Sequence, residues 1–186
     1  MTILLVVLGL VAVWLVFTFN SLVGLRNDAL NAFRQIDVQL KRRHDLIPNL
    51  VNSVKGEMKF EQETLQKVIA ARAGAVSAGT GGNITEMAKK EGELSSALGR
   101  LFALSENYPN LKANDAVRSL MEELSSTENK VSFSRQLYND VVTKFNTKQQ
   151  VFPNNILAPM FGFKPSDLFE IPAEQSAQRE VPKVEL

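Results

Sequence analysis

The 186-residue chain has no cysteine, a single histidine, one tryptophan and two tyrosines. Without cysteine there are no disulfides, no thiol nucleophile, no thiolate-held zinc and no lipid-modified N-terminal cysteine. One histidine, His44, supplies no imidazole set for a metal, and E-x-x-H, H-E-x-x-H and G-x-S-x-G patterns are missing. No cofactor and no enzymatic activity are expected. An excess of either charge is missing too: 21 Lys and Arg face 20 Asp and Glu, so nucleic acid is not an expected partner.

Charge is also absent locally. The first 25 residues carry no ionisable side chain, and "ILLVVLGLVAVWLVFTF" from Ile3 to Phe19 is almost wholly apolar. At 1.5 Å per residue this run is about 26 Å long, and continued to Leu25 it exceeds the roughly 30 Å of a bilayer core. A cleaved signal peptide would need a cationic start, a shorter apolar stretch and a small-x-small site, none of which is present. The segment 1–25 is therefore expected to be an uncleaved transmembrane anchor in contact with the lipid bilayer. Its membrane-facing residues would be Ile3, Leu4, Leu5, Leu8, Leu10, Trp14, Leu15, Phe17 and Phe19. Arg26 and Arg34 follow the span, so the positive-inside rule leans toward a cytoplasmic body.

Beyond the anchor, apolar residues recur at three and four, which predicts an all-α body over 26–150. One helix is expected from the membrane to about Ala78, where "SAGTGGN" supplies the glycines for a reversal. Asn83 with Glu86 forms a capping-box-like start for a second helix, which stops near Tyr108-Pro109. A third is expected from about Asn114 to Gln150, completing an up-down-up bundle. Residues 151–175, rich in Phe and Pro, are expected to form an irregular segment packed on the bundle or on a neighbouring subunit. Residues 176–186 read as a frayed tail.

These lengths leave a gap. The second helix would cover only the distal part of the first, and the third would climb away from the membrane again. The seam of Leu22, Leu25, Ala29, Phe33, Ile36 and Leu40 would then have no cover in its own chain. Burying each such residue is worth about 1.5–3 kcal/mol, so self-association through this stalk is expected, with cyclic symmetry as the default and large rings or cages within its reach.

The stretch "QIDVQLKRRHDLIPNLV" holds the remaining candidates. As a hydrolase residue His44 lacks a partner set, and Lys41, Arg42 and Arg43 lie about 33 Å past Phe19, too far to meet headgroups on an upright helix. The stronger reading is structural. Asp37 with Lys41 and Arg42 with Asp45 form helical ion pairs in a charged collar, and Pro48, by freeing the His44 carbonyl, makes His44 and Pro48 a helix joint. Glu57, Glu61, Glu63, Glu122 and Glu123 read as solvated faces rather than metal ligands.

Two long motifs complete the picture: "LVGLRNDALNAFRQIDVQLKRRHDLIPNLVNSVKGEMKFEQETLQKVIAAR" after the anchor and "YNDVVTKFNTKQQVFPNNILAPMFGFKPSDLFEI" near the C-terminus. Together they resemble the LemA family of bacterial membrane proteins, across nearly the whole chain. The resemblance implies a helical bundle on a single-pass anchor with no assigned catalytic residues. It also implies association with stress-linked membrane proteases and membrane-organising systems, hence a scaffold, whose homo-oligomers would form through the stalk. An adaptor for a membrane protease or another envelope protein is the alternative.

Overall fold

The computed structural model describes residues 1–56, 58 and 61–170; Glu57 and the expected tail 176–186 lie outside them. Six helices occur among these residues: α1 Thr2–Val54, α2 Gln62–Thr80, α3 Ile84–Ser105, α4 Pro109–Ala113, α5 Asp115–Gln150 and α6 Asn154–Met160. The fold is all-α, as the 3.6-residue periodicity predicts.

Local chemistry explains most boundaries. Oδ1 of Asn83 accepts from the Glu86 N–H at 3.0 Å, the expected cap of α3. Asn114 does the same for α5, accepting from Ala116 and Val117 at 3.0 and 3.3 Å. Gly82 makes the reversal before α3 at φ 72°, a conformation that costs glycine nothing. In the α2–α3 hairpin Met87 lies beside Gly79 and Lys90 beside Gly74, so the two helices run antiparallel.

Three expectations require correction. The first helix does not continue to Ala78; it ends at Val54, and Lys55-Gly56 turns the chain before α2 begins at Gln62. Gly56 weakens a helix by about 1 kcal/mol relative to alanine, while Met58 and Leu65 keep the apolar period running and hide the break. Pro48, expected as a helix joint, sits inside α1, which continues past it to Val54. The tail is not wholly irregular either, because residues 154–160 form α6.

The chain divides into two compact units, and α1 and α5 contribute to both. The first comprises Met1–Asp37 and Phe133–Leu168; the second comprises Val38–Ser132 and the chain from Phe169 on. In the first unit α5 runs antiparallel to α1, with Tyr138 against Phe33 and Phe145 clustered with Leu22. In the second unit the core is Ile47, Leu50, Val51, Val54, Leu65, Val68, Leu94, Leu98, Leu101 and Leu124 with their neighbours.

The added turn after Val54 alters the parity of the bundle, and this overturns the uncovered seam. Leu22, Ile36 and Leu40 are at most 1% exposed and Ala29 is 6% exposed within the single chain. Leu25 and Phe33 are half-buried. Phe145, Ala158 and Phe163 cover Leu22, with Val23 and Leu25 packed alongside, so this end of the seam needs no second copy.

Candidate functional site

In the second unit, Arg43 occupies the stripe between Leu40 and Ile47 and is 1% exposed. The expected collar of local helical ion pairs is thereby corrected: its central cation lies in the core and pairs with other helices. Nη1 of Arg43 donates to Oε2 of Glu91 at 3.1 Å, and Nη2 reaches Ser95 Oγ and Glu128 Oε2, each at 2.8 Å. Ser95 in turn donates to Glu128 at 2.9 Å. Nε2 of His44 meets the other Glu91 oxygen at 2.8 Å, so this carboxylate joins two adjacent residues of α1. A guanidinium suits such a role because its planar fork of donors can serve several acceptors at fixed angles.

Removing charges from water costs several kcal/mol per ion, and good geometry with further hydrogen bonds is needed to offset it. Here the bonds come from three helices, α1, α3 and α5. The Ser95 hydroxyl is committed to Arg43 and Glu128, and no hydrogen bond joins it to His44. The arrangement is an electrostatic clasp, without the nucleophile-to-base contact that acyl transfer requires. Among the described residues no three His, Cys, Asp or Glu side chains gather as a metal set.

Pro48 has its own partner. A proline cannot donate to the carbonyl four residues before it, which leaves the His44 oxygen without its helical bond. Nε of Arg72 on α2 donates to that oxygen at 2.6 Å. The polar deficit is filled from outside the helix, and α1 continues past the proline. Arg42, expected to bond Asp45, instead donates through Nε and Nη2 to Glu123 at 3.2 and 2.6 Å. Asp45 and Lys41 are exposed, and Asp37 is half-buried.

Glu91, Ser95, Glu128 and Arg72 were not apparent as site residues from the sequence. One signal for Glu91 existed: it lies between Met87 and Leu94 at spacings of four and three, a carboxylate on an apolar stripe. Tyr108 approaches Glu61 at 3.4 Å; burial first, and then this carboxylate, push its phenol above the usual range. A groove of about 480 Å³ opens beside Phe102, Leu111, Met121 and Ser125.

In the first unit, α1 is bare over most of its N-terminal half. Ile3, Leu4, Leu5, Leu8, Leu10 and Phe17 are exposed, while Trp14 and Leu15 are half-buried. Among the described residues this is the one helix long and apolar enough to cross a membrane, and its most apolar window is 6% buried. Where the bare surface ends, Phe19 meets Phe161 and Phe163 edge to face, with centroids 5.2 and 5.8 Å apart. Phe163 also meets Phe145, and the Arg26 guanidinium lies 5.6 Å from its ring centre.

Comparison with known proteins adds a family and several relatives. A family model described as the LemA family matches residues 32–186. The chain is 26% identical over 179 residues to magnetosome protein MamQ 2 of Paramagnetospirillum magneticum, an alignment covering 84% of this chain and 66% of that protein. It is 27% identical over 188 residues to magnetosome protein MamQ of Magnetospirillum gryphiswaldense, covering 88% and 69%. Against protein LemA of Metamycoplasma hominis it is 27% identical over 161 residues, covering 87% and 70%. The chain thus spans just under two thirds of the length of the MamQ 2 relative. None of these descriptions names an enzyme.

Proposed function

The chain belongs to the LemA family, and from that premise we propose that it is a non-enzymatic, membrane-anchored helical scaffold of the bacterial inner membrane. The observation that carries this reading is the bare apolar half of α1, which runs as one helix into residues packed in both units. In water that surface would be an aggregation hazard; in a bilayer it is an anchor. Arg26 and Arg34 favour a cytoplasmic body. Leu8→Arg together with Val11→Arg should release the protein from membranes washed with alkaline carbonate. Retention of the variant would sink the anchor.

Self-association belongs to the proposal, but through a different surface from the seam, whose side chains pack in cis. On α5, Phe133 is 71% and Leu137 37% exposed, with half-buried Val141 next in the same i, i+4 row. This outward stripe is the surface by which copies would meet, in a ring or cage. Phe133→Asp with Leu137→Asp should reduce particle mass in mild detergent to that of a monomer. An unchanged mass would remove the stripe from the proposal.

The groove beside Phe102, Leu111 and Met121 favours a second reading, an adaptor that holds a membrane protease or other envelope protein. A photocrosslinker at Met121 should then yield one protease adduct in fixed ratio, and adducts with further copies of this chain alone would remove that support.

A further inference from the structure

The exposed apolar side chains of the first unit are not confined to α1. α6 presents Asn154 and Ala158 inward, both buried, while Ile156 and Met160 lie four residues apart on the opposite side and are 58% and 75% exposed; Phe152, in the turn before the helix, is 81% exposed. The outward face is thus the more apolar one, the reverse of a helix on a water-facing surface. Its inward polar group is satisfied, since Nδ2 of Asn154 donates to the Lys148 carbonyl at 2.9 Å. From Val151 to Phe163 no side chain is charged, and Lys148 and Lys164 stand on either side.

The level of this face along α1 is fixed by contacts. Phe161, directly after α6, meets Phe19, and Ala158 clusters with Leu22. Counting about 20 helical residues for a bilayer core from Ile3 ends the hydrocarbon near Leu22. α6 is therefore held at the depth where acyl chains give way to headgroups, and its apolar side continues the bare surface of α1.

We propose that α6 is a second membrane contact: residues 151–163 lie in the interfacial layer of the bilayer with Phe152, Ile156 and Met160 inserted among acyl chains. The inference rests on the anchor reading of α1. A short segment of this kind binds through its apolar area, and flanking lysines can extend toward lipid phosphates. The consequence for α1 is orientational. A single span is free to rotate about its axis, whereas a span with an inserted side segment bound to it presents a set face.

The absence of cysteine permits a direct test on the full chain. Single Leu8→Cys, Met160→Cys, Ile156→Cys and Thr80→Cys variants, each carrying a nitroxide label, would be reconstituted in phosphatidylcholine–phosphatidylglycerol vesicles. Collision with lipid-soluble oxygen would be compared with collision with a water-soluble nickel chelate. The expected result is an oxygen-dominated ratio at Met160 and Ile156 resembling that at Leu8, and a nickel-dominated ratio at Thr80. A lipid ratio at Leu8 with a water ratio at Met160 and Ile156 would overturn this proposal and leave the anchor standing. Protection of Met160 and Ile156 from both reagents would assign the face to a protein neighbour and also overturn it. A water ratio at Leu8 would remove the anchor and this proposal together.

Discussion

The first unit is closed around rings: Phe19, Phe33, Tyr138, Phe145, Phe161 and Phe163 meet edge to face at centroid distances of 5.2 to 6.3 Å. The second is closed around leucines, valines and isoleucines, interrupted by a buried arginine and glutamate. Aromatic edges and faces carry opposite partial charges, so a ring cluster prefers particular orientations without any ion. Aliphatic side chains have no such preference, and a row of leucines tolerates sliding by a turn. In the second unit the clasp of Arg43 with Glu91 and Glu128 supplies the directionality that leucines lack. A shifted α3 would bury the Glu91 carboxylate without its cation and leave Arg43 with Glu128 alone.

The most costly way to break this comparison is to remove one side of the clasp. Glu91→Ala leaves Arg43 in the core without its buried carboxylate partner and should cost about 3–5 kcal/mol in denaturant unfolding of the detergent-solubilised chain. Arg43→Met combined with Glu91→Leu should recover most of that loss, because no buried charge is left. A double variant as unstable as the single one would mean that packing, not charge, dominates there. The counterpart in the first unit is Phe145→Ala, with an expected loss of similar size, about 3–5 kcal/mol. Its damage is a cavity, so no second deletion elsewhere should restore it.

The same contrast marks what could be read from sequence. Signals that act within one turn were legible: the Asn83 cap, the Gly82 reversal, the apolar period of α1 and α5, and the freed carbonyl at His44. The chain reversal after Val54 was not, because Gly56 stands alone in a run whose spacing suits an unbroken helix. That single turn decides whether α5 returns alongside the residues that follow the span. Missing it left the seam from Leu22 to Leu40 uncovered and called for a second copy. Arg43 was hidden for a different reason. Its partners come from α3 and α5, and rules for i±4 neighbours can only place an arginine among nearby acids.

A smaller effect separates the proline from its compensation. Arg72→Ala should cost about 1–3 kcal/mol, the penalty for leaving a buried carbonyl without a donor. Pro48→Ala restores the backbone N–H that a regular helix would offer to His44. In that background the Arg72→Ala loss should shrink, and the coupling between the two changes measures how far Arg72 serves the proline. Equal losses in both backgrounds would show that Arg72 acts through its own packing.

The mildest test asks whether the rings of the first unit rely on polar help at all. Tyr138 donates its hydroxyl to the Asp167 carbonyl at 2.9 Å while its ring meets Phe33 at 5.8 Å. Burial, and then the Asp167 carboxylate, hold its phenol above the ordinary value of 10.0. A raised folded value favours the protonated phenol, so its contribution is fully present below the unfolded value and is lost as pH climbs through the folded one. Tyr138→Phe keeps the ring, should cost about 0.5–1.5 kcal/mol near neutrality, and should flatten the alkaline fall in stability. Stability of both proteins measured from about pH 8 to about pH 11 decides the matter, because that range brackets tyrosine ionisation. Parallel curves would assign the stabilisation to the ring contact alone, and the first unit would then differ from the second more completely than the hydrogen bond implies.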